Sequence, residues 1–187
     1  VTRTWESLSA FNEENDIPGA DKNDKALLFP ATTHTVTLSH GEKGVQGWDK
    51  PYFEGSTEVE VPGYELLANA QVEVVLANSI VTIATTDNFN GYFPQSTFKI
   101  NDIEWSAENI ENHELLFANP GKATITCQAV RQTGSVTELK KVVELKPTTR
   151  HTILFELSTA GGAVVKISFD GTVVEEVKID VELNDKA

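Results

Sequence analysis

The sequence contains a single cysteine, no methionine and no long apolar run. With Cys127 alone, no intramolecular disulfide can form, and a chain of 187 residues is long enough to fold around a core without one. Cys127 lies in ATITCQAV, where alternate residues are apolar, which predicts a buried and unreactive thiol. No segment approaches the ~18 apolar residues of a membrane helix, and the chain does not start like a signal peptide. We expect a soluble chain whose signal segment, if the protein is exported, lies upstream.

Basic residues are also scarce. The chain has 15 Lys and Arg against 28 Asp and Glu, a formal net charge of -13. Such a charge repels nucleic acids and anionic lipid surfaces, so we expect neither as a partner. The acidic side chains are expected to form a solvated surface.

Motifs for catalysis or cofactor binding are missing. There is no G-x-S-x-G and no Gly-rich phosphate loop with a lysine. Glu175 and Glu176 are adjacent on a predicted strand and therefore point to opposite faces, unlike a general acid/base pair. The histidines lack the spacing of a zinc site; they are His34, His40, His113 and His151. We therefore expect that the protein is not an enzyme and binds no metal or cofactor. The best candidate pair for a metal site is His34 and His40, which share strand parity.

The segment DNFNG at residues 87–91 has the oxygen donors and the glycine of a calcium loop. Its register does not fit, because Phe89 stands at the third ligand position and no acidic residue follows at the twelfth. An Asx-type turn is the predicted structure.

Alternating apolar residues are the clearest positive signal, and they predict three consecutive strands over residues 150–183. Ile153, Phe155 and Leu157 alternate with polar residues, as do Val165, Ile167 and Phe169. After the hairpin signal Asp170-Gly171 comes a third apolar set of one parity; it consists of Val173, Val177, Ile179, Val181 and Leu183. Each strand should bury one face.

Short strand-like runs also fill the rest of the chain. Predicted strands are marked by five sets of alternating apolar residues: Val36 and Leu38; Val59 and Val61; Val72, Val74 and Leu76; Val81 and Ile83; and Phe98 and Ile100. Two more strands are predicted at 122–130 and 136–145. Trp5, Leu8 and Phe11 predict a short N-terminal helix, and residues 106–112 predict a helical turn. The pattern predicts an all-β sandwich or barrel, with a domain boundary near residues 77–79.

Three aromatic residues lie together in the predicted loop GVQGWDKPYFEG: Trp48, Tyr52 and Phe53. Clustered aromatics on a loop can stack on sugar rings, which makes this loop a candidate glycan-binding site. The competing interpretation is that the loop folds back and packs the rings against the core edge, since an exposed aromatic cluster is costly.

Residues 26–61 and 150–183 together resemble uncharacterised surface lipoproteins of Bacteroides-type bacteria that are related to the fimbrillins. The resemblance rests on LLFPATTHTVTLSHGEKGVQGWDKPYFEGSTEVEV and GGAVVKISFDGTVVEEVKIDVEL, and continues in LANAQVEVVL and GYFPQSTFKI. It implies two Greek-key, prealbumin-like β-sandwich domains in tandem with short helical turns, at residues 1–78 and 79–187. The sequence departs from that family's pattern at Thr32-Thr33-His34, and the first strand expected before VTRTW is missing.

The resemblance further implies a non-enzymatic lipoprotein of the bacterial outer membrane, held at the cell surface by a lipid on an upstream cysteine, with an adhesive or fimbria-associated structural role. Expected partners are other surface or pilus proteins, or host and dietary glycans. A missing first strand would leave an open sheet edge that a strand of another chain could complete. The candidate donor is the C-terminal tail, through Val177, Ile179, Val181 and Leu183.

Overall fold

The structure is a computed structural model that describes residues 31–62, 70–158 and 163–179, together with Thr4, Glu6 and Ala10. The described strands are β1 (Thr33–His40), β2 (Gly47–Trp48), β3 (Phe53–Glu60), β4 (Val75–Leu76), β5 (Ser79–Thr85), β6 (Thr97–Ile100), β7 (Ile103–Trp105), β8 (Leu116–Ala118), β9 (Gly121–Val130), β10 (Val136–Leu145), β11 (Arg150–Ser158), β12 (Ala163–Phe169) and β13 (Thr172–Ile179). The described helices are α1 (Asp87–Tyr92) and α2 (Ala107–Glu111). The predicted all-β class with short helical turns is confirmed.

The strands form three sheets within the described part of the chain. A six-stranded sheet has the order β13-β12-β11-β5-β8-β2, a four-stranded sheet has the order β10-β9-β6-β7, and a three-stranded sheet has the order β1-β3-β4. The chain divides into two compact units, Val1–Leu38 with Gly55–Val74, and Ser39–Glu54 with Val75–Ala187. The predicted domains 1–78 and 79–187 stay a prediction.

The second unit is a β-sandwich, because the six-stranded and four-stranded sheets share one apolar core. Alternate residues of β9 and β11 are buried, as predicted for a strand with one face inside. The buried side chains from both sheets include Phe98, Ile100, Trp105, Ile125, Cys127, Leu139, Ile153, Phe155, Val165 and Ile167. The predicted burial of Cys127 is confirmed.

The predicted C-terminal meander is present. β11 pairs antiparallel with β12, and β12 pairs antiparallel with β13. Asp170 and Gly171 have φ angles of 49° and 78°, the positive values that a type I′ hairpin requires at both central residues.

The expected burial of Val173 is wrong, because β13 contains a bulge. The ladder pairs Ser168 with Val173 but Ile167 with Glu175, so Val174 is the extra residue. Val173, which pairs with Ser168, faces away from the core and is 46% exposed, while Val174 packs against the core. A turn two residues long fixes the pairing next to Asp170, and the bulge is the place where the rest of β13 changes register.

Most other local predictions are confirmed. The strands predicted at 122–130 and 136–145 are β9 and β10, and a turn at 131–135 joins them, with Arg131 N donating to Ser135 O. The helical turn predicted at residues 106–112 is helix α2. It begins after Ser106, which forms a capping box with Asn109.

Two predictions are wrong. The predicted Asx turn at residues 87–91 is helix α1, because Thr86 caps its N-terminus by accepting from Phe89 N and the Phe89 ring is completely buried. The predicted strand through Val72 and Val74 is reduced to the two residues of β4, and Val74 is 41% exposed.

The helix predicted from Trp5, Leu8 and Phe11 lies outside the described residues. Among the residues that are described, no helix is long and apolar enough to cross a membrane.

Candidate functional site

The loop with the three aromatic residues leaves β1 at Gly41 and enters β3 at Phe53. Gly41 has a φ of 91°, and a Cβ there would collide with the carbonyl of Pro51, so the two ends of the loop touch only because residue 41 is glycine. The backbone N–H of Tyr52 donates to Oδ1 of buried Asn78, and Tyr52 O accepts from Ala77 N at 2.8 Å. The end of the loop is therefore tied to the segment that leads into β5.

The middle of the loop is added to the six-stranded sheet as strand β2. Gly47 and Trp48 pair with Phe117 and Leu116 of β8. Nδ2 of Asn119, just beyond β8, donates to Gly44 O at 2.8 Å. The loop thus folds back onto the sandwich along its length.

Trp48 packs against a tryptophan of the other sheet. The ring centroids of Trp48 and Trp105 are 4.6 Å apart at 71°, an edge-to-face contact. Trp48 is partly buried and Trp105 is 1% exposed, and the indole N–H of Trp105 finds no acceptor among the described residues. Since β2 and β7 are the last strands at one side of their sheets, the two indoles close that side of the sandwich.

Tyr52 is enclosed by protein groups. It is 7% exposed, and Lys43 Nζ lies 5.9 Å from its ring centroid. Lys43 also donates to both carboxylate oxygens of Glu54 at 2.9 Å. Desolvation, and then a hydrogen bond with Glu54, raise the pKa of Tyr52, whereas the hydrogen bond from Lys43 lowers the pKa of Glu54. The Tyr52 phenol is therefore engaged by Glu54, and Lys43 lies over the ring.

Phe53, the third aromatic residue, begins β3 and is partly buried. It pairs with Leu76, and the His40 ring lies 6.4 Å away between centroids. The burial of Tyr52 and the Trp48–Trp105 contact favour the interpretation in which the loop packs on the core edge. Sugar stacking by Trp48, Tyr52 and Phe53 stays a prediction.

A second polar constellation, which the sequence did not single out, joins His151 to Asp170. Nδ1 of the buried His151 lies 2.7 Å from Asp170 Oδ2, and its Nε2 accepts a hydrogen bond of 2.8 Å from Lys146 N. Asp170 Oδ1 accepts from Thr152 N at 2.8 Å. The His151 ring stacks on Phe169, with centroids 5.0 Å apart.

The hydrogen bonds fix the tautomer of His151. Because Nε2 accepts from a backbone N–H, the proton of the neutral ring is on Nδ1 and points to Asp170. Both nitrogens are engaged, so neither can take a proton from a substrate or bind a metal without breaking a contact of the fold. The sequence signal was the parity of His151 with Ile153 and Phe155, which places the ring inside.

The other candidates do not gather into a site within the described chain. No cluster of three or more His, Cys, Asp or Glu side chains that could hold a metal occurs there. His34 and His40 lie in β1, His40 exposed and His34 partly buried. Two of the candidate residues for strand exchange, Val177 and Ile179, lie in β13 and pair with Val165 and Ala163 of β12. The other two, Val181 and Leu183, lie outside the described residues.

The chain was compared with protein families, curated proteins and solved structures. Residues 8–185 match the profile of a family described as a domain of unknown function (DUF4493). No curated protein and no solved structure matches the chain.

Proposed function

We propose, from the premise that the chain belongs to the DUF4493 family of unknown function, that it is a non-enzymatic cell-surface lipoprotein with an adhesive or fimbria-associated structural role. The observation that carries the non-enzymatic part is the use of His151, whose two ring nitrogens bind Asp170 and Lys146 N. His151 and Asp170 are the pair that most resembles a general base, but their hydrogen bonds hold two turns of the fold together. The surface location and the lipid anchor rest on the resemblance to fimbrillin-related lipoproteins.

The adhesive part is supported by the architecture of the second unit. Its two sheets are joined at one side by the Trp48–Trp105 contact and share a continuous apolar core. Interior packing of this kind resists deformation, which suits a module that transmits force between a cell and a surface.

Localisation and adhesion are tested separately. Antibody against the chain should label intact cells of the source bacterium before permeabilisation, and a labelled fatty acid should be incorporated into the full-length protein. Beads coated with the protein should adhere to cell monolayers or to bacterial fimbriae more than beads coated with an unrelated β-sandwich of similar charge. Labelling only after permeabilisation would contradict the surface location, and equal adhesion of both beads would contradict the adhesive role.

Strand exchange through residues 177–183 is the proposed mode of assembly. Donation would require Val177 and Ile179 to leave their present pairing with β12, so it should be slow and should need excess donor. A labelled peptide of this segment is incubated with the protein and followed by size-exclusion chromatography. A protein that stays monomeric at high concentration and takes up no peptide would argue against the mechanism.

Glycan binding by the aromatic loop is the alternative proposal, supported by the partly exposed rings of Trp48 and Phe53. A glycan array is probed with the wild type and with Trp48→Ala and Trp48→Phe. Under this alternative, Trp48→Ala abolishes binding while the protein remains folded, and Trp48→Phe retains part of it. Loss of folding in Trp48→Ala would instead mark the ring as part of the core.

A further inference from the structure

The side of the sandwich away from Trp48 and Trp105 is bounded by β10 and β13, the end strands of the four-stranded and six-stranded sheets. β10 has ten residues, and all of them pair with β9. On its outer face Val136 and Val142 are more than half exposed. No strand of the described residues pairs with the other edge of β10. A long strand with an unpaired edge and exposed β-branched residues is a template for pairing with another chain.

Each of the two end strands turns one charged side chain inward. Lys141 lies on the face of β10 that buries Leu139 and Val143. Glu175 pairs in the β12–β13 ladder with the fully buried Ile167, so it lies on the core face of β13. Lys141 Nζ and Glu175 Oε2 are 3.1 Å apart, and their side chains are 37% and 32% exposed. The two charges meet across the gap between the sheets.

We propose that the Lys141–Glu175 ion pair guards this side of the sandwich against edge-to-edge pairing with a second copy of the chain. The core face of β10 is complementary to itself in one register, whereas the outer face adds repulsion there by setting Glu138 opposite Glu144 of the second copy. An antiparallel pairing centred on residue 141 would set Leu139 opposite Val143 of the second copy, a favourable apolar match.

The same pairing would set Lys141 against the Lys141 of the second copy and cover the exposed part of both ion pairs. Like charges placed opposite each other on neighbouring strands are unfavourable, and removing a solvated ion pair from water is costly. Inward charges on end strands are a known device against such association. The bulge at Val174 adds to it by bending β13.

The test replaces the charges with neutral residues of similar shape. Lys141→Gln/Glu175→Gln is compared with the wild type by sedimentation velocity over a concentration series. The control is Lys166→Gln/Glu176→Gln, which removes a pair on the outer face of the same sheet, 3.7 Å apart. We expect the first variant to dimerise with a dissociation constant at least ten-fold lower than that of the wild type, and the control to behave as the wild type does.

A further substitution tests the register. In a pairing centred on residue 141, Val142 lies opposite Lys140 of the second copy, so Val142→Lys in the neutral background should reverse the dimerisation. If Lys141→Gln/Glu175→Gln lowers stability too far, Lys141→Val/Glu175→Val carries the same test with residues that suit the apolar face. Folded variants that associate no more than the wild type would overturn the proposal, and so would dimers that Val142→Lys leaves intact.

Discussion

At the scale of single residues, His151 connects two turns that are distant in sequence. Its Nε2 binds the backbone N–H of Lys146, in the turn between β10 and β11, and its Nδ1 binds Asp170, in the turn between β12 and β13. Asp170 also accepts from Thr152 N, and its own N–H donates to Thr152 O at 2.9 Å. A buried imidazole is suited to this position because it offers one donor and one acceptor at fixed angles.

Replacing His151 with Phe should lower the free energy of unfolding by about 2–4 kcal/mol, because the Lys146 N–H and the Asp170 carboxylate lose their partner while the ring volume is retained. Urea denaturation followed by circular dichroism measures the change. The matched control is His113→Asn, at an exposed position with a φ of 53° that asparagine tolerates, where we expect a change below about 0.5 kcal/mol. Equal effects at both positions would contradict the role given to His151.

Cys127 is the other residue whose surroundings determine its chemistry. Burial in the core raises the pKa of its thiol from about 9 to about 12. A thiol with so high a pKa carries almost no thiolate at neutral pH, and the thiolate is the reactive form.

The raised pKa predicts a loss of stability in alkali. Above pH 9 the unfolded chain releases the Cys127 proton while the folded protein keeps it, so the free energy of unfolding falls as pH rises from about 9 to about 12. The contribution is about 1.4 kcal/mol per pH unit, and it should be missing from Cys127→Ala when both proteins are denatured in urea between pH 8 and pH 11. Parallel profiles for the two proteins would refute the prediction.

At the scale of secondary-structure elements, the β12–β13 hairpin combines a two-residue turn with a strand that contains a β-bulge. Its two central residues have positive φ, and its second strand changes register at Val174. The turn therefore depends on residue type, whereas the bulge sets which side chains of β13 face the core.

Gly171→Ala should lower the free energy of unfolding by about 1 kcal/mol, since a residue with a side chain is strained at a φ of 78°. Free space around Gly171 means that the cost is conformational and does not come from a collision. Gly91→Ala is the control, because Gly91 is helical and equally unobstructed, and there alanine should stabilise by up to about 1 kcal/mol. Thermal unfolding of both variants measures the effects, and equal signs would count against this explanation.

Strand positions with strict alternation were predictable, because burial of one face leaves a direct mark on the sequence. Ile153, Phe155 and Leu157 are examples, and so is the Asp170-Gly171 turn. The bulge at Val174 was not predictable, since Val173 and Val174 are the same residue type and only the ladder decides which one points inward. Helix α1 was missed because its burial of Phe89 depends on long-range packing against Phe98 and Phe155.

For the candidate sites, too, local sequence patterns were predictable and contacts between distant parts of the chain were not. The aromatic loop could be located from Trp48, Tyr52 and Phe53, but its docking depends on Asn78 and Asn119, which lie far along the chain. His151 and Asp170 are 19 residues apart, and their contact exists only because β11 and β12 pair. The Lys141–Glu175 pair likewise requires the two sheets to be assembled.

At the scale of the whole molecule, charge of one sign dominates. A net charge of -13 produces electrostatic repulsion that favours the unfolded, expanded chain. Added salt screens this repulsion, because the Debye length falls from about 30 Å at 0.01 M to about 3 Å at 1 M ionic strength. We therefore expect the melting temperature at pH 7 to rise as NaCl is increased from 0.01 M to 0.5 M.

Differential scanning calorimetry measures this dependence. The effect should shrink near pH 4.7, the isoelectric point expected from the sequence, because there the net charge approaches zero. A melting temperature that falls with added NaCl at pH 7 would show that individual ion pairs outweigh the general repulsion.

The parallel pairing of β5 with β11 has a consequence for biosynthesis. It places Ile80 beside Arg150 and Thr85 beside Phe155, at the middle of the six-stranded sheet. A ribosome that adds about 5–20 residues per second needs several seconds to make the segment between these partners. During that interval β5 lacks one of its two neighbours, so the nascent sandwich cannot be completed before β11 has been made, and a chaperone has that time to bind the unfinished chain.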